Sequence, residues 1–457
     1  MFRFKVSLVL LLTTFCHFNI VAQMLIQGKV TDDKKKPIAL ANIYVKGSSI
    51  GTVSNEMGEF QIYIQNPNVD TIIVSFVGYE RTVVAASNIK EKEELLITLP
   101  EDVISLSEIK ILSPKIFRNP TEIVERAIKK IESDHSKGLH ILRGYFKHTY
   151  EQDGKYKKLL EAAITIMDGG NAKTKFNIDE LRRSYDFREV YAKSLNRKAS
   201  AEELAAKEKN SMRLTLECWY RNNFNRKNPE DVNQFGINGC GFYDFGLLNQ
   251  DFIKEHKFKL DSLMIFEDEY VYSIKILPSR SSKPYSTFPD NLIIPVGRIF
   301  IKTDDLSVLK MEYSYILNPK KRNSDDYKTT FKVFGTGIIF QITANYKQYD
   351  GKMYLSFLNT KDYSGTSLED RKVRSKNNSK VYNLTQRTLL INEIIFDKNQ
   401  VNNIVSNMVW DSDLSKLRPY NESFWLKFGT LKETTLQENL RKDLELQSPL
   451  ETQFKNN

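Results

Sequence analysis

The sequence predicts a mainly β protein with α+β character. We expect a small N-terminal β-sandwich and then a larger antiparallel-sheet, half-barrel-like domain with peripheral helices. Two observations lead to this fold class. Short apolar runs alternate with polar residues and are interrupted by Gly, Asn, Asp and Pro, which is typical of antiparallel strands. Such runs return after residue 257, behind a segment with helical spacing. The predicted parts are 1–22, a signal peptide; 25–112, the sandwich; and 116–457, an α+β domain with a C-terminal helix.

The first 22 residues have the pattern of a secretory signal peptide. Arg3 and Lys5 provide a basic start, and the apolar run that follows them is too short to span a bilayer comfortably. The small residue Ala22 before Gln23 predicts cleavage between the two. We therefore expect an exported protein, with a membrane anchor as the alternative. Phe15 stands where a lipoprotein signal before Cys16 requires a small residue, which argues against lipidation.

The sandwich is predicted from residues 27–64, where short strands alternate with turn residues. Gly51 and Gly58 stand where the chain must reverse, and glycine tolerates the backbone angles that tight turns need. Each strand has apolar residues on one parity alone, so two sheets must face each other to bury them. The apolar residues that share a parity within a strand are Ala41, Ile43 and Val45 in one, and Phe60, Ile62 and Ile64 in another.

Several motifs in this segment fall together at the spacings of a known family. They are Gly28-Lys29-Val30, Pro37-Ile38, Ala41-Asn42-Ile43-Tyr44-Val45, Gly51-Thr52, Gly58-Glu59-Phe60 and Phe76-Val77-Gly78-Tyr79. Over about Leu25 to Leu112 the chain resembles the carboxypeptidase regulatory-like domain. The resemblance implies a transthyretin-like sandwich of seven strands without the zinc ligands of a peptidase. Such domains also stand at the front of many Gram-negative outer-membrane receptors, so the resemblance implies the periplasm or the outer-membrane periphery.

Charge and composition limit the classes of partner that the protein is expected to bind. The formal net charge is +10, and loss of Arg3 and Lys5 with the signal peptide would lower it by 2, to +8. Basic and acidic residues are interspersed, which indicates a mildly basic, solvated surface. Export and the lack of a basic recognition helix argue against nucleic acid. The expected partner is an envelope protein, a glycan or a lipid, and we also consider a peripheral association with the outer membrane.

The second domain is predicted to open with a helix over Pro120 to Ile131, capped by Asn119. Further helices are predicted over Ser200 to Met212 and Phe245 to His256, and an amphipathic C-terminal helix from Thr435 carries Leu440 and Leu444 on one face. Hairpin turns are predicted at Asp153-Gly154 and Asp350-Gly351. The predicted strands are Leu139 to Glu151, Tyr156 to Met167, Leu263 to Phe266, Tyr270 to Leu277, Gly297 to Lys302, Phe331 to Phe334, Ile338 to Tyr349, Met353 to Thr360 and Arg387 to Asp397. This strand series resembles the half-barrel of periplasmic lipoprotein carriers.

A search for catalytic and metal motifs yields no catalytic, cofactor-binding or metal residues. The sequence has no HExxH, GxSxG or GxxxxGK[ST] motif. His140 and His148 share a strand parity, but eight strand residues separate them by roughly 26 Å, too far to share a metal. We expect these two, His135 and His256 to be exposed or hydrogen-bonded. Cys218 and Cys240 either pair as a disulfide or remain separate thiols.

Other polar and aromatic groups have simpler interpretations. Asp411, Asp413, Ser415 and Glu422 follow calcium-loop spacing, but Lys416 replaces the required glycine, so we regard this as coincidence. The acid pairs Asp304-Asp305 and Asp325-Asp326 are predicted to form turns. Tryptophans can stack on sugars, yet they mostly serve packing. We therefore expect packing roles for Trp219-Tyr220, Trp410 and Trp425.

Three functions remain, and the first is preferred because it needs no missing motif. It is a non-enzymatic envelope protein that binds an apolar, glycan or protein ligand on the concave face of the strands from about Tyr270 to Asp397. The second is a hydrolase with a site dispersed over 116–400. The third is a component related to TonB-dependent uptake, or an outer-membrane barrel. The plug that follows the sandwich in receptors is missing, and the helical, charged segment after Thr435 argues against a barrel.

Overall fold

The computed structural model describes residues 24–90, 93–104, 119–135, 138–152, 154–169, 174–184, 250–279, 291–334, 337–349, 351–363, 383–411, 414, 418–428 and 435–456. The predicted signal peptide, the helix predicted over 200–212, Cys218, Cys240 and Trp219-Tyr220 lie outside these residues, as do Asp153 and Asp350 of the predicted turns. Strands predominate over helices in the described part, which confirms the predicted fold class.

Seven strands form the N-terminal sandwich, as the resemblance implies. They are β1 (Met24–Asp32), β2 (Asn42–Val45), β3 (Gly51–Val53), β4 (Glu59–Ile64), β5 (Thr71–Ser75), β6 (Thr82–Ala85) and β7 (Leu95–Leu99). One sheet has the order β4-β1-β7 and the other β3-β2-β5-β6. Strand β4 alternates in burial along its length, and its inward residue Phe60 is fully buried between the sheets. Gly58 precedes it at a φ of 76°, where a side chain would be strained.

Among the described residues, eleven strands form the second sheet, and all neighbours in it are antiparallel. They are β8 (Val103–Ile104), β9 (His140–Gln152), β10 (Lys155–Asp168), β11 (Lys175–Arg183), β12 (His256–Phe266), β13 (Glu269–Pro278), β14 (Ile293–Lys302), β15 (Val308–Leu317), β16 (Ile338–Tyr349), β17 (Lys352–Asp362) and β18 (Asn383–Ile395). The order is β11-β10-β9-β18-β17-β16-β15-β14-β13-β12-β8. Strand β8 follows the sandwich directly and pairs with β12, so the chain enters this sheet at its edge.

Helix α1 (Pro120–His135) covers one face of the large sheet. Asn119 caps it, because its side-chain oxygen accepts a hydrogen bond from the Thr121 amide at 3.1 Å. The buried helix residues Ile123, Val124, Ala127 and Ile128 share one hydrophobic core with sheet residues such as Phe146, Leu160 and Ile274. Helix α2 (Gln250–Glu255) contributes Phe252 to the same core and lies within the predicted helix of 245–256.

Helix α3 (Asp325–Phe334) corrects two predictions. Phe331 to Phe334 was predicted as a strand, and Asp325-Asp326 as a turn, but these acids form the first turn of the helix. The Ser324 hydroxyl accepts from the Tyr327 amide at 3.2 Å and caps the start. Acidic residues in the first turn interact favourably with the positive end of the helix dipole. Only the last four residues of this helix resemble a strand, and a four-residue window cannot separate the two periods.

The other face of the large sheet carries the sandwich and the C-terminal helices. These are α4 (Lys398–Asn407), α5 (Glu422–Lys427), α6 (Thr435–Leu444) and α7 (Leu450–Lys455). Leu440 and Leu444 pack with Leu159 of β10, as predicted for a helix docked on its own domain. Tyr145 of β9 packs with Val53 of the sandwich and with Trp425. None of the described helices is long and apolar enough to cross a membrane.

Candidate ligand-binding cavity

A row of polar residues crosses seven strands on the sheet face that carries the sandwich. One residue comes from each of β15, β16, β17, β18, β9, β10 and β11, and paired neighbours lie side by side in the strand registers. From one end to the other these residues are Glu312, Thr343, Asn359, Thr388, Lys147, Glu161 and Arg182. Neighbouring strands are about 4.8 Å apart, so the row places a polar group at that interval across the sheet.

A second polar row runs beside the first, two residues along each strand. Gln341, Lys361, Gln386 and Thr149 are neighbours in the same registers. Because side chains of a strand alternate between faces, residues two apart share a face. The residues Ile342, Leu358 and Leu389, each next to a row residue along its strand, belong to the core under α1. Both rows therefore lie on the face opposite α1.

Apart from Glu161 and Arg182 at one end, the residues of these rows form the floor of a cavity of about 420 Å³. Its walls come from two other parts of the chain. The sandwich contributes Ala39, Leu40, Ser54, Asn55, Glu56 and Phe76, and the C-terminal side contributes Leu440, which faces Tyr156 of β10. The volume lies within the range of about 300–1,000 Å³ that small-molecule sites occupy.

Several polar side chains of the floor keep hydrogen-bonding capacity for a ligand. The Asn359 side-chain oxygen accepts from Gln386 Nε2 at 3.2 Å and from Thr388 Oγ1 at 3.1 Å. Thr149 and Thr343 are only 6% and 7% exposed, and neither hydroxyl bonds to any described residue. Buried polar groups are normally hydrogen-bonded, so we expect water or a ligand to satisfy these hydroxyls.

The charges in the cavity are largely compensated. Lys310 Nζ lies 2.7 Å from Glu312 Oε1 and 4.7 Å from the centre of the Phe76 ring. Lys361 Nζ lies 3.5 Å from Glu56 Oε1 and so connects the sheet with the sandwich wall. Among the described lining residues, each of the two carboxylates therefore has a lysine partner, and the rest of the floor consists of Lys147 and of side chains that mostly carry amides and hydroxyls.

The last two residues of the first row, Glu161 and Arg182, form a buried ion pair. Arg182 Nε donates to Glu161 Oε2 at 2.6 Å, and the Tyr145 hydroxyl donates to Glu161 Oε1. Burial alone would raise the pKa of Glu161, but Arg182 and Lys147 outweigh it and hold the pKa below its usual value of 4.5. The Arg182 guanidinium also lies 4.4 Å from the Trp425 ring, which ties α5 to the sheet.

The sandwich wall is attached through the turn between β12 and β13. Glu267 Oε1 accepts from the Tyr44 hydroxyl at 2.6 Å and from Ser75 Oγ at 2.8 Å. Asp268 pairs with Arg81 at 2.6 Å. Burial raises the pKa of Tyr44, and the negative charge of Glu267 raises it further. Three residues of one sandwich sheet are thus bound to a single two-residue turn.

Strand β16 adds a second attachment. Lys347 Nζ donates to the Ser48 carbonyl at 3.2 Å and lies 4.6 Å from the centre of the Tyr44 ring. Burial lowers the pKa of Lys347 to about 8, although Glu267 acts in the opposite direction. Asn345 Nδ2 donates to the Leu40 carbonyl at 3.3 Å, beside the cavity.

The histidines lie away from this cavity. His140 packs against Tyr354 and Phe396, while His148 is buried under the other face, where burial first and then Lys158 and Arg387 lower its pKa well below the usual value. His256 Nε2 and the Tyr313 hydroxyl are hydrogen-bonded at 2.9 Å. His256 and His140, whose Nδ1 lies 3.2 Å from the Gly138 carbonyl oxygen, thus match the expected hydrogen-bonded role. His148 does not, because it is buried and hydrogen-bonds to no described residue. The side chain of His135 lies outside the described residues.

The residues with calcium-loop spacing, the tryptophans and the acid pair Asp304-Asp305 make structural contacts where the structure describes them. Asp411 pairs with Arg418 at 3.0 Å and Glu422 with Lys455 at 3.6 Å, while Asp413 and Ser415 lie outside the description. Trp425 is buried beside Arg182, which agrees with packing. Trp410 packs with the cluster that holds Val401 of α4. Asp304-Asp305 forms the predicted turn, where Asp305 accepts from the Ser307 amide at 2.9 Å.

The cavity itself was not predicted from the sequence. The ligand was expected on the concave face of the strands from Tyr270 to Asp397, with α1 over part of it. The face under α1 is filled by apolar side chains of the helix and the sheet. The cavity opens on the opposite face, and some of its floor residues, such as Lys147 and Thr149, come from β9. The alternation of polar residues along β16 to β18 was the available signal.

The first comparison concerns the sandwich. Residues 26–111 match the family model of the CarboxypepD_reg-like domain. This match confirms the resemblance read from the glycine and apolar motifs. The part of the CarboxypepD_reg-like domain that lines the cavity comprises the segments around Leu40, Asn55 and Phe76.

A curated relative matches the same part of the chain. The TonB-dependent receptor SusC of Bacteroides thetaiotaomicron is 34% identical over 113 residues, which is 24% of this chain and 11% of the receptor. The chain therefore spans about a tenth of the length of this relative.

Two solved structures cover more of the chain at low similarity. A DUF1329 family protein from Desulfovibrio piger is 11% identical, covers 61% of this chain and 94% of its own, and has a TM-score of 0.26. A LolA superfamily protein from Nitrosomonas europaea is 10% identical, covers 62% and 100%, and has a TM-score of 0.24. Neither likeness carries an argument about function.

Proposed function

We propose that this protein is an exported, non-enzymatic binding protein of the cell envelope, whose ligand occupies the cavity between the CarboxypepD_reg-like domain and the large sheet. The observation that carries the proposal is the cavity of about 420 Å³, which Thr149 and Thr343 line with hydroxyls that bond to no described residue. A concave site with convergent polar groups is the usual form of a ligand site.

Binding without turnover is favoured by the state of the cavity carboxylates. A general acid or base must reach the reacting group of its substrate. Glu312 and Glu56 are instead held in ion pairs with Lys310 and Lys361, at 2.7 and 3.5 Å. The hydrolase with a dispersed site over 116–400 is the alternative, and turnover assays decide between them.

The envelope location is supported by two features of the chain. The pattern of 1–22 predicts export. The CarboxypepD_reg-like domain is similar to part of a TonB-dependent receptor. This similarity also favours a second candidate, a component related to TonB-dependent outer-membrane uptake, which is compatible with ligand binding in the cavity and with a peripheral association with the outer membrane. The partner is then an envelope protein, a glycan or a lipid.

The test compares ligand capture by the natural chain and by a cavity-blocked variant. Gln386 is half-buried in the floor, so Gln386→Trp fills part of the cavity, and Gln400→Trp on the exposed surface of α4 is the matched control. The purified proteins are incubated with lipid, glycan and peptide extracts of bacterial envelopes, and retained compounds are identified by mass spectrometry. We expect a compound that the natural chain and the control retain and the blocked variant does not.

Two results would contradict the proposal. Equal retention by the blocked variant would place the site elsewhere. Hydrolysis of peptidase, esterase or glycosidase substrates that Glu312→Gln abolishes would establish an enzyme, because this change removes the carboxylate and keeps the size of the side chain.

A further inference from the structure

We infer that the ligand of the cavity is a neutral oligosaccharide. The inference rests on the proposed function, since it names the chemical class of the ligand at the same site. Three observations carry it: the paired charges, the hydroxyls and amides of the floor, and the aromatic wall at Phe76. The first two disfavour other classes of ligand, and the third favours a sugar.

The charge pattern disfavours ionic ligands. An anion would need a cation free to pair with it, but Lys310 and Lys361 already have carboxylate partners at 2.7 and 3.5 Å. The third lysine of the described lining, Lys147, interacts electrostatically with Glu161. A cationic ligand would meet the same obstacle at Glu312 and Glu56. Breaking the Lys310–Glu312 pair would leave Lys310, whose side chain is only 9% exposed, without a partner, at a cost that a neutral ligand avoids.

The floor disfavours an apolar ligand. Covering Thr149 and Thr343 with hydrocarbon would remove their hydroxyls from water without a hydrogen bond in return, which destabilises the complex. Amides and hydroxyls both donate and accept, as sugar hydroxyls do. Asn359 accepts two hydrogen bonds at its oxygen, which leaves its amide nitrogen as a donor that bonds to no described residue.

The geometry of the floor favours a chain of similar units. Polar groups repeat at about 4.8 Å across the strands, and a second row runs parallel to the first. Hydroxyl-bearing rings in succession offer hydrogen-bonding groups along such a grid. Phe76, which is partly buried at the cavity wall, provides an apolar surface for the C–H face of a sugar ring. Tyr156 and Phe357 also border the cavity, but they are only 8% and 3% exposed.

A peptide fits the floor less well. Extended peptides bind sheets mainly through the free backbone groups of an edge strand. The cavity floor is formed by strands β15 to β18 and β9, each of which is paired on both sides. Their backbone groups are used within the sheet, so side chains alone are available to a ligand.

The test measures binding by isothermal titration calorimetry with the whole chain. The probes are hexasaccharides of glucose, mannose and N-acetylglucosamine, an acidic hexagalacturonate, and an uncharged hexapeptide. Asn359→Leu and Thr343→Val remove the polar groups with little change in size, and the exposed Asn402→Leu and Thr452→Val are the matched controls. We expect at least one neutral hexasaccharide to bind, each cavity variant to weaken it about tenfold, and the controls to leave it unchanged.

The outcomes separate this inference from the proposed function. Binding of hexagalacturonate or the peptide alone would overturn the neutral saccharide. The same holds if no saccharide binds while an envelope compound is retained in a manner that Gln386→Trp abolishes; the cavity would then bind another class. If no retained compound depends on Gln386, the proposed function is overturned together with the inference.

Discussion

Glu161 is a buried carboxylate whose two oxygens are bound by Arg182 and Tyr145. Glu161→Ala leaves the Arg182 guanidinium without its partner, so we expect the large-sheet part to lose on the order of 3–5 kcal/mol of unfolding free energy. All three tryptophans lie after residue 112, so urea unfolding followed by tryptophan fluorescence reports this part. The control is Glu80→Ala at an exposed position of the sandwich. An equal midpoint shift in both variants would contradict a specific role.

The same ion pair predicts a dependence on acid pH. The pKa of Glu161 is lower in the folded chain than its usual value of 4.5, so the unfolded chain binds the proton first as the pH falls. The stabilisation is therefore complete above pH 4.5 and is lost as the pH falls through the folded pKa. Below pH 4.5 we expect the unfolding free energy of the natural chain to fall more steeply than that of Glu161→Ala. Parallel curves would show that Glu161 does not titrate in this way.

Lys347 predicts a rise of stability with pH in the alkaline range. Burial lowers its pKa from 10.5 to about 8, so between these values the unfolded chain binds more protons than the folded chain. Stability attributable to this lysine therefore rises with pH from about 8 to 10.5. In Lys347→Met this rise should be absent, whereas Lys46→Met, at an exposed position, should retain it. Unfolding curves at several pH values measure the difference, and a rise that persists in Lys347→Met would contradict the assignment.

The turn between β12 and β13 connects two strands and also binds the sandwich. Glu267 and Asp268 have φ angles of 51° and 66°, a conformation in which Asn-Gly is preferred. Both positions carry acids that bind the sandwich, at Tyr44, Ser75 and Arg81. The turn thus carries residues that are less suited to its backbone conformation than Asn-Gly, and these residues bind the CarboxypepD_reg-like domain.

We therefore predict that Glu267→Asn combined with Asp268→Gly loosens the sandwich while it preserves the hairpin. Amide hydrogen exchange should become faster in β2 and β5, because Tyr44 and Ser75 lose their acceptor, and remain slow in β13. Asp304→Ala, in the turn between β14 and β15, is the control and should change neither region. Faster exchange confined to β12 and β13 would mean that the acids stabilise only their own hairpin.

Some elements of the fold could be predicted from the sequence pattern, and others could not. Sandwich strands with one buried parity were predicted, because glycines and polar residues mark their limits. Phe331 to Phe334 was misassigned, since the capping residue Ser324 lies seven residues before it and the window was too short. The row from Glu312 to Arg182 depends on registers that include bulges, such as the shift between Ala163 and Ile164. A single-residue shift would move each side chain to the other face, so pairing between distant strands decides the row.

At the scale of the molecule, the cavity lies where two parts of the chain, each with its own hydrophobic core, pack against each other. Phe60 lies in the sandwich core, and Leu358 lies in the core under α1. The floor belongs to one part and much of the wall to the other. Sequence patterns describe each part through its own periodicity, but contacts such as Lys361 with Glu56 join residues about 300 positions apart. That arrangement is set by tertiary packing and could not be predicted from local patterns.

Separate cores predict separate losses of stability. Phe60 is fully buried, so Phe60→Ala should cost the sandwich on the order of 3–5 kcal/mol. Hydrogen exchange of β1 and β4 measures this loss, whereas tryptophan fluorescence reports the rest of the chain. We expect the exchange to accelerate strongly and the fluorescence midpoint to change little. Leu358→Ala, at an equally buried site of the other core, should give the reverse result. If Phe60→Ala lowers both signals equally, the two parts unfold as one cooperative unit.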